Sequence, residues 1–341
     1  MSVTTTRRAA VLRAFALLAF ALPGPFVRAD DALPAAPRLR FATVAEARAL
    51  LGSRDAWAEA TSPFQRAVLV GNGSPVSIER LLASMAATAL PWPTEGEARW
   101  RRAWSIVAPR LTELRVPLPE EILLVDTDGR DQGGAPYTRG LAVILPNALV
   151  PADAMPGGDA ALLAHELFHV VSRQHPELAT RLYRAIGFEP VPTLQWPAAW
   201  LPLRIVNPDA PFDRHAIKLD IAGRPTRLMP VLVARRAELA AGETFFSVMD
   251  VRLLEVEVVG ESTLPVLRDG APVWHAPRQV PAYLARLGGN TAYIIHPEET
   301  MADNFALLVT RQPVPNAALL ERIEAVLRGR QGDVFTPSAP R

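Results

Sequence analysis

The sequence predicts an α+β fold in which a small mixed sheet with an edge strand packs on a buried helix. The runs 121–125 and 140–146 are short, rich in Val, Ile and Leu, and bounded by turn residues, which is typical of strands. Residues 159–174 contain neither Pro nor Gly and keep an apolar stripe at helical spacing. They therefore predict a helix that packs into a core.

The other segments follow from similar local patterns. Further helices are predicted over 44–51, 77–90, 99–114, 176–186, 298–310 and 317–328. The β-rich runs 228–233 and 244–259 predict strands that form one wall of a cleft. We divide the chain into a signal peptide over 1–29, a mostly helical segment over 30–118, strands and the buried helix over 119–189, a Pro-rich insertion of strands and loops over 190–290, and two helices over 291–341.

The first 29 residues are typical of a secretory signal peptide. Three Arg precede the apolar run 14–22, and Val27-Arg28-Ala29 offers a cleavage site after Ala29. The apolar run is shorter than the ~20 residues that span a bilayer. We expect export by a bacterial cell to the periplasm or the medium, with no stable membrane anchor after cleavage. The general and the twin-arginine export routes both stay open.

Composition limits the chemistry and the partners. The chain has no Cys, so a metal ion would be held by His and carboxylate side chains. Of the 36 basic residues, four lie in the leader, which leaves 32 against 35 acidic residues. This slightly acidic balance argues against nucleic acid as a partner.

The pentad His165-Glu166-Leu167-Phe168-His169 has the spacing HExxH. Residues four apart share one face of a helix, so both imidazoles can reach a single ion. Glu166 is well placed to take a proton from a water molecule beside that ion. The pentad therefore predicts a hydrolase with one Zn²⁺ ion and with Glu166 as general base.

A catalytic zinc ion usually has three protein ligands, and His175 is one candidate for the third. It lies ten residues after His165, the separation found in the metzincin pattern HExxHxxGxxH. Residue 172 is Ser where that pattern has Gly, so the helix is expected to continue towards Gln174. This alternative stays open but is the weaker one.

The second candidate lies in the helix predicted after His296-Pro297. Glu299 and Asp303 are four residues apart and share a helix face. Together with the pentad, this pair resembles the gluzincin metallopeptidases, which have a zincin-like fold. The resemblance covers about 159–174 and 297–310. It implies that Glu299 is the third zinc ligand, that Asp303 supports a ligating His, and that the substrate is a peptide or protein.

Other roles stay open at this stage. Tyr293, His296 and His215 are candidates for the donor that stabilises an oxyanion. The strand over 140–146 ends in Pro, which suits a sheet edge where a peptide could pair. A zincin-fold protein that binds a partner with little hydrolysis, and a zinc hydrolase of non-peptide amides, are the alternatives to a peptidase.

Overall fold

The computed structural model describes residues 37–71, 74–237 and 245–329, with the side chain of Phe245 left out. The predicted signal peptide over 1–29 lies outside these residues. Within the described ranges, no helix is both long enough and apolar enough to cross a membrane.

The described residues form both helices and sheets, grouped in runs of one type, which confirms the predicted α+β class. The helices are α1 (Val44–Leu51), α2 (Ala56–Ala60), α3 (Pro63–Val70), α4 (Ile78–Ala86), α5 (Thr94–Glu113), α6 (Gly158–Gln174), α7 (Pro176–Ala185), α8 (Phe245–Val248), α9 (Pro281–Leu287), α10 (Pro297–Val309) and α11 (Ala317–Leu327). The strands are β1 (Arg38–Phe41), β2 (Ala89–Leu90), β3 (Glu121–Thr127), β4 (Tyr137–Arg139), β5 (Ala142–Leu145), β6 (Phe188–Pro190), β7 (His215–Ile221), β8 (Arg224–Ala234), β9 (Met249–Val259), β10 (Ser262–Pro265), β11 (Leu267–Arg268), β12 (Ala271–Pro272) and β13 (Trp274–His275).

The first sheet is mixed and has the order β1-β3-β5-β4, with β2 paired to β3. Strands β1, β3 and β5 are parallel, whereas β4 runs antiparallel to β5. The predicted strand over 140–146 is confirmed as β5, but its predicted edge position is wrong. Tyr137 to Arg139 pair outside it, so β4 is the edge strand at this side of the sheet.

The predicted helix over 77–90 is too long at its C-terminal end. It stops at Ala86, and Ala89 and Leu90 form β2 against β3. Leu90 precedes Pro91, and a residue before Pro is disfavoured in the helical conformation. The hydrogen bonds of a strand pair replace those that the helix loses.

The Pro-rich insertion folds around a second, antiparallel sheet of order β10-β9-β8-β7-β6, with β13 paired to β9. The predicted strands over 228–233 and 244–259 correspond to β8 and β9, although 245–248 form the short helix α8. Strand β7 was not predicted. Leu232 and Met249 of this sheet border the cleft described below.

Helix α6 lies in the centre of the main hydrophobic core, as its apolar stripe predicted. It packs along α10 on one side and α5 on the other. The ring of Phe168 lies 5.5 Å from that of Phe305 in α10 and 6.5 Å from that of Tyr183 in α7, measured between ring centroids. These aromatic contacts fix the distance between α6 and α10, and hence between the polar side chains that the two helices carry.

We expect the Phe168→Ala substitution to destabilise the protein by about 3–5 kcal/mol, because the ring is fully buried and its removal leaves a cavity. The measurement is urea-induced unfolding followed by circular dichroism. Ile106→Ala is the control, since Ile106 is 62% exposed on α5 and should change stability by no more than about 0.5 kcal/mol. Equal effects of the two substitutions would contradict the central position of α6.

Candidate metal centre

Helix α6 presents His165, Glu166 and His169 at the floor of a cleft. All three side chains are buried, and the two imidazole centroids lie 4.8 Å apart. The four-residue spacing puts both rings on the face of α6 that meets α10. The pentad therefore forms the arrangement that its spacing predicted.

Helix α10 brings a carboxylate to the same point. Pro297 is its first residue, and Nδ1 of His296 accepts a hydrogen bond from the N–H of Glu298 at 3.1 Å, which caps the helix. Glu299, in the first turn, places Oε2 3.2 Å from Nε2 of His165 and 3.6 Å from Nε2 of His169. These three residues form a buried group that could hold a metal ion.

The hydrogen bonds on the outer side of each imidazole set its orientation. Nδ1 of His165 lies 2.8 Å from Oδ1 of Asp303, and the hydroxyl of Thr291 donates to the other oxygen of Asp303. Nδ1 of His169 lies 2.7 Å from Oε1 of Glu298. A proton held on Nδ1 leaves the lone pair of Nε2 free for a metal ion. Both rings can therefore act as ligands through Nε2.

Glu298 contacts the imidazole of His169, a contact that sequence reasoning missed. Its Oε1 also accepts a hydrogen bond from Ser172 at 2.6 Å, and Tyr183 donates to its Oε2. Glu298 therefore accepts hydrogen bonds from side chains of both α6 and α7. A usable signal was present in the sequence, because Glu298 stands beside Glu299 and Ser172 follows His169 by three residues on the same helix.

Asn207, in the loop before β7, contacts Glu299 from the opposite side. Its side-chain amide donates to Oε1 of Glu299. Because Oε1 is occupied in this way, Oε2 is the oxygen that faces the two imidazoles. The loop thereby selects one oxygen of Glu299 for a metal ion.

Glu166 is 3% exposed, and its Oε2 has no hydrogen-bond partner among the described residues. Burial raises the pKa of Glu166 to about 8; the charges of the two imidazoles oppose this rise and that of Asp209 adds to it. Glu166 and Asp209 also form a second possible metal group with His169. Two ions could not occupy the two groups at the same time, because Nδ1 of His169 faces Glu298 and leaves one nitrogen for an ion.

The carboxylates beside the two imidazoles favour the protonated form of both rings. Burial by itself lowers the pKa of His165, but hydrogen bonds to Asp303 and Glu299 outweigh it and hold this pKa well above its usual value. Burial also lowers the pKa of His169. The charges of Asp209 and Glu299 outweigh this effect and raise the pKa of His169 to about 9. For Glu299, burial would raise the pKa, but the imidazolium groups lower it to about 2.

Tyr293 borders the cleft beside the metal group. Its ring stacks on that of His165 at 6.1 Å between centroids and 19° between planes, and the residue is 41% exposed. The charge of Glu299, followed by burial, raises the pKa of Tyr293 above its usual value, so the phenol keeps its proton. It can donate a hydrogen bond in the cleft.

His215 and His296 lie outside this cleft and border a second cavity, together with Tyr183 and Glu298. Burial lowers the pKa of His215 to about 3 and also lowers that of His296. Sequence reasoning grouped both residues with Tyr293 as oxyanion donors. Their position on the far side of Glu298 removes them from the cleft that contains Glu166.

His175 lies where α6 meets α7, and its N–H bonds to the carbonyl of Val171 at 2.8 Å. Helix α6 runs to Gln174 without turning at Ser172, as the absence of Gly predicted. His175 belongs to neither group of possible metal ligands among the described residues. The two helices bring Glu299, rather than His175, to the imidazoles.

The cleft in front of these residues has a volume of about 470 Å³. Apolar side chains line much of it, including Leu149, Met155, Leu162, Leu232 and Phe246. Among the described residues that line it there is neither Lys nor Arg. The cleft is therefore an apolar groove with an acidic floor.

No protein-family model, no curated protein and no solved structure matches this chain. The likeness to the gluzincins therefore rests on the residues of α6 and α10 and on their geometry.

We expect the metal-free protein, kept in a chelator, to lose stability as the pH rises from 6.5 to 9. The pKa of His169 is about 9 in the folded state against 6.5 ordinarily, so its stabilisation is complete below pH 6.5 and is lost as the pH rises through 9. Glu166 acts in the same direction, because its folded pKa of about 8 exceeds its ordinary 4.5. The free energy of unfolding should fall by a few kcal/mol.

Urea unfolding at a series of pH values measures this slope. The control is Glu166→Gln, which removes one of the two titrating groups and should give a shallower decline. A free energy of unfolding that stays level between pH 6.5 and 9 would show that the imidazoles are not protonated in the metal-free centre.

Proposed function

We propose that the protein is an exported zinc metallopeptidase of the gluzincin type, with a zincin-like fold. The observation that carries this proposal is the convergence of Nε2 of His165, Nε2 of His169 and Oε2 of Glu299 beside the unpartnered carboxylate of Glu166. The leader over 1–29 supports export, and the extended apolar cleft suits a peptide or protein substrate.

The donor atoms fit zinc. Two imidazole nitrogens and one carboxylate oxygen form a common ligand set for catalytic zinc, with bonds of about 2.0–2.2 Å. Tetrahedral coordination at those bond lengths places neighbouring ligand atoms about 3.4 Å apart. The distances from Oε2 of Glu299 to the two imidazoles, 3.2 and 3.6 Å, bracket that value. His165, His169 and Glu299, which would hold the ion, line the same cleft as Glu166.

When bound, zinc supplies a Lewis acid and lowers the pKa of an adjacent water molecule to about 7. Glu166 takes the proton of the attacking water and passes it to the leaving amine. A nearby dication favours its carboxylate form over the acid that burial favours in the metal-free centre. Among the residues that the structure describes, Oε2 of Glu166 has no hydrogen-bond partner to give up before it takes the proton.

Tyr293 is the donor we assign to the developing oxyanion. It lines the cleft next to His165, and the negative charges around it keep its phenol protonated. Asp303 and Glu298 orient the two ligating imidazoles, and Asn207 orients Glu299. Each of the three residues that would hold the ion is therefore oriented by at least one other side chain.

We expect the purified protein to bind one zinc ion per chain and Glu299→Ala to lose it, because two imidazoles alone leave the site a ligand short. His175→Ala should keep the ion, since His175 lies at the α6–α7 junction. Metal content by atomic emission after dialysis measures both. Loss of zinc from His175→Ala with retention in Glu299→Ala would support the metzincin arrangement and contradict ours.

We expect Glu166→Gln to keep its zinc ion and to lose about 10²–10⁴-fold in peptide hydrolysis, because the amide cannot accept the proton of the attacking water. The measurement is cleavage of a quenched fluorescent peptide library alongside metal content. The control is Glu177→Gln, an isosteric change in the first turn of α7, outside the cleft.

Three results bear on the alternatives. No hydrolysis by the zinc-loaded wild type would support a zincin-fold binding protein instead. Hydrolysis that Glu166→Gln leaves unchanged would remove Glu166 from the role of general base. Cleavage of acyl amides but of no peptide would move the substrate to the non-peptide class.

A further inference from the structure

Asp209 is a carboxylate in the cleft that zinc binding and general base catalysis do not use. It lies in the loop between β6 and β7, and its side chain is 6% exposed. One carboxylate oxygen of Asp209 lies within 4.8 Å of a carboxylate oxygen of Glu166 and of a ring nitrogen of His169. A buried carboxylate this close to a reaction centre needs a compensating positive group.

Among the described residues, hydrogen-bond donors and a positive charge contact only one of the two carboxylate oxygens of Asp209. Oδ1 accepts hydrogen bonds from the backbone N–H of Thr138, at 2.8 Å, and from its hydroxyl, and lies 3.8 Å from the guanidinium of Arg173. That guanidinium donates to the carbonyl of Gly140 and to Thr138. No described residue donates a hydrogen bond to Oδ2 of Asp209, and Asp209 borders both the cleft and the second cavity.

The charges of the cleft point in the same direction. Glu166, Asp209, Glu299 and Asp303 border it, and among the described lining residues no Lys or Arg opposes them. One zinc ion offsets two of these four negative charges. The zinc-loaded cleft therefore attracts a cation and offers nothing to the C-terminal carboxylate of a substrate.

We propose that Asp209 binds the free α-ammonium group of the substrate, so that the enzyme removes residues from peptide N-termini. This inference rests on the proposed function. The α-nitrogen lies about 2.5 Å from the carbonyl carbon of the same residue, which is the carbon attacked when the first peptide bond is cleaved. Because Glu166 acts at the reacting carbon, an ammonium group about 2.5 Å from that carbon lies close to Glu166. Asp209 lies in the same place, within 4.8 Å of Glu166. The ε-ammonium of a substrate Lys is four carbons further away.

Asp209 has a second possible role, because Asp209, Glu166 and His169 together could hold a metal ion. His169 has one nitrogen for an ion, because its Nδ1 faces Glu298. The two arrangements therefore differ in whether Asp209 is needed for zinc binding. Metal content separates them directly.

The kinetic test uses zinc-loaded mature protein and three substrates: leucine p-nitroanilide, N-acetyl-leucine p-nitroanilide and N-acetyl-lysine p-nitroanilide. The wild type should prefer the free α-amine. Asp209→Asn keeps an oxygen that accepts from Thr138 but removes the charge. It should lower kcat/KM for leucine p-nitroanilide by about 10–100-fold, mainly through KM, which corresponds to the loss of one charged hydrogen bond. It should leave the acetylated substrates and the zinc content unchanged.

A binding test is independent of turnover. In a Glu166→Gln background, calorimetry should show that the tripeptide Leu-Gly-Gly amide binds more tightly than its N-acetylated form, and that adding Asp209→Asn removes the difference. Asp213→Asn is the matched control, because Asp213 pairs with Arg204 outside the cleft. It should preserve the preference for a free amine.

Several results would overturn the proposal. These are equal use of free and acetylated leucine substrates, loss of zinc from Asp209→Asn, and an effect of Asp209→Asn confined to N-acetyl-lysine p-nitroanilide. If no substrate is hydrolysed at all, the proposed peptidase function fails. The binding test then decides separately whether Asp209 recognises an ammonium group.

Discussion

The structure depends on the compensation of charges that are buried between α6 and α10. His165 and His169 on one helix meet Glu298, Glu299 and Asp303 on the other, all within a closely packed interior. An unpaired buried carboxylate would cost several kcal/mol, so each must have a partner of opposite charge or a hydrogen-bond donor. The two helices can stay packed only while these polar partners match.

This constraint extends to distant parts of the chain. Tyr183 of α7 and Ser172 of α6 hold Glu298, Thr291 holds Asp303, and Asn207 holds Glu299. The loop around Asn207 belongs to the Pro-rich insertion. That insertion therefore contributes to the centre itself, as well as a wall of the cleft. A centre assembled from four separate segments forms only when the tertiary fold is complete.

The sequence predicts those parts of the centre that depend on local spacing. The pair His165 and His169, and the pair Glu299 and Asp303, each lie four residues apart on one helix, and helical periodicity puts both members of a pair on one face. Asn207 and Asp209 escape prediction because they lie in an irregular loop where no periodicity relates a residue to its direction.

The structure places two features differently from what the sequence suggested. His296 is close in sequence to Glu299, but it caps the helix, and this turns its ring towards the second cavity. The strand over 140–146 has the composition of an edge strand, yet three residues of β4 pair outside it. Strand order is decided by which distant segment pairs with which, and neither hydrophobic pattern nor a closing Pro contains that information.

The acid excess of the centre determines how it responds to its ligands. Without metal, the neighbouring carboxylates raise the pKa of His169, and burial raises the pKa of Glu166. A dication that takes over Nε2 of both imidazoles must displace their protons, so metal affinity rises with pH. In the proposed zinc-loaded centre Glu166 would be ionised, and Arg173 would be the cation beside Oδ1 of Asp209. Under our two proposals, a metal ion and a cationic substrate group would neutralise different carboxylates of the same centre.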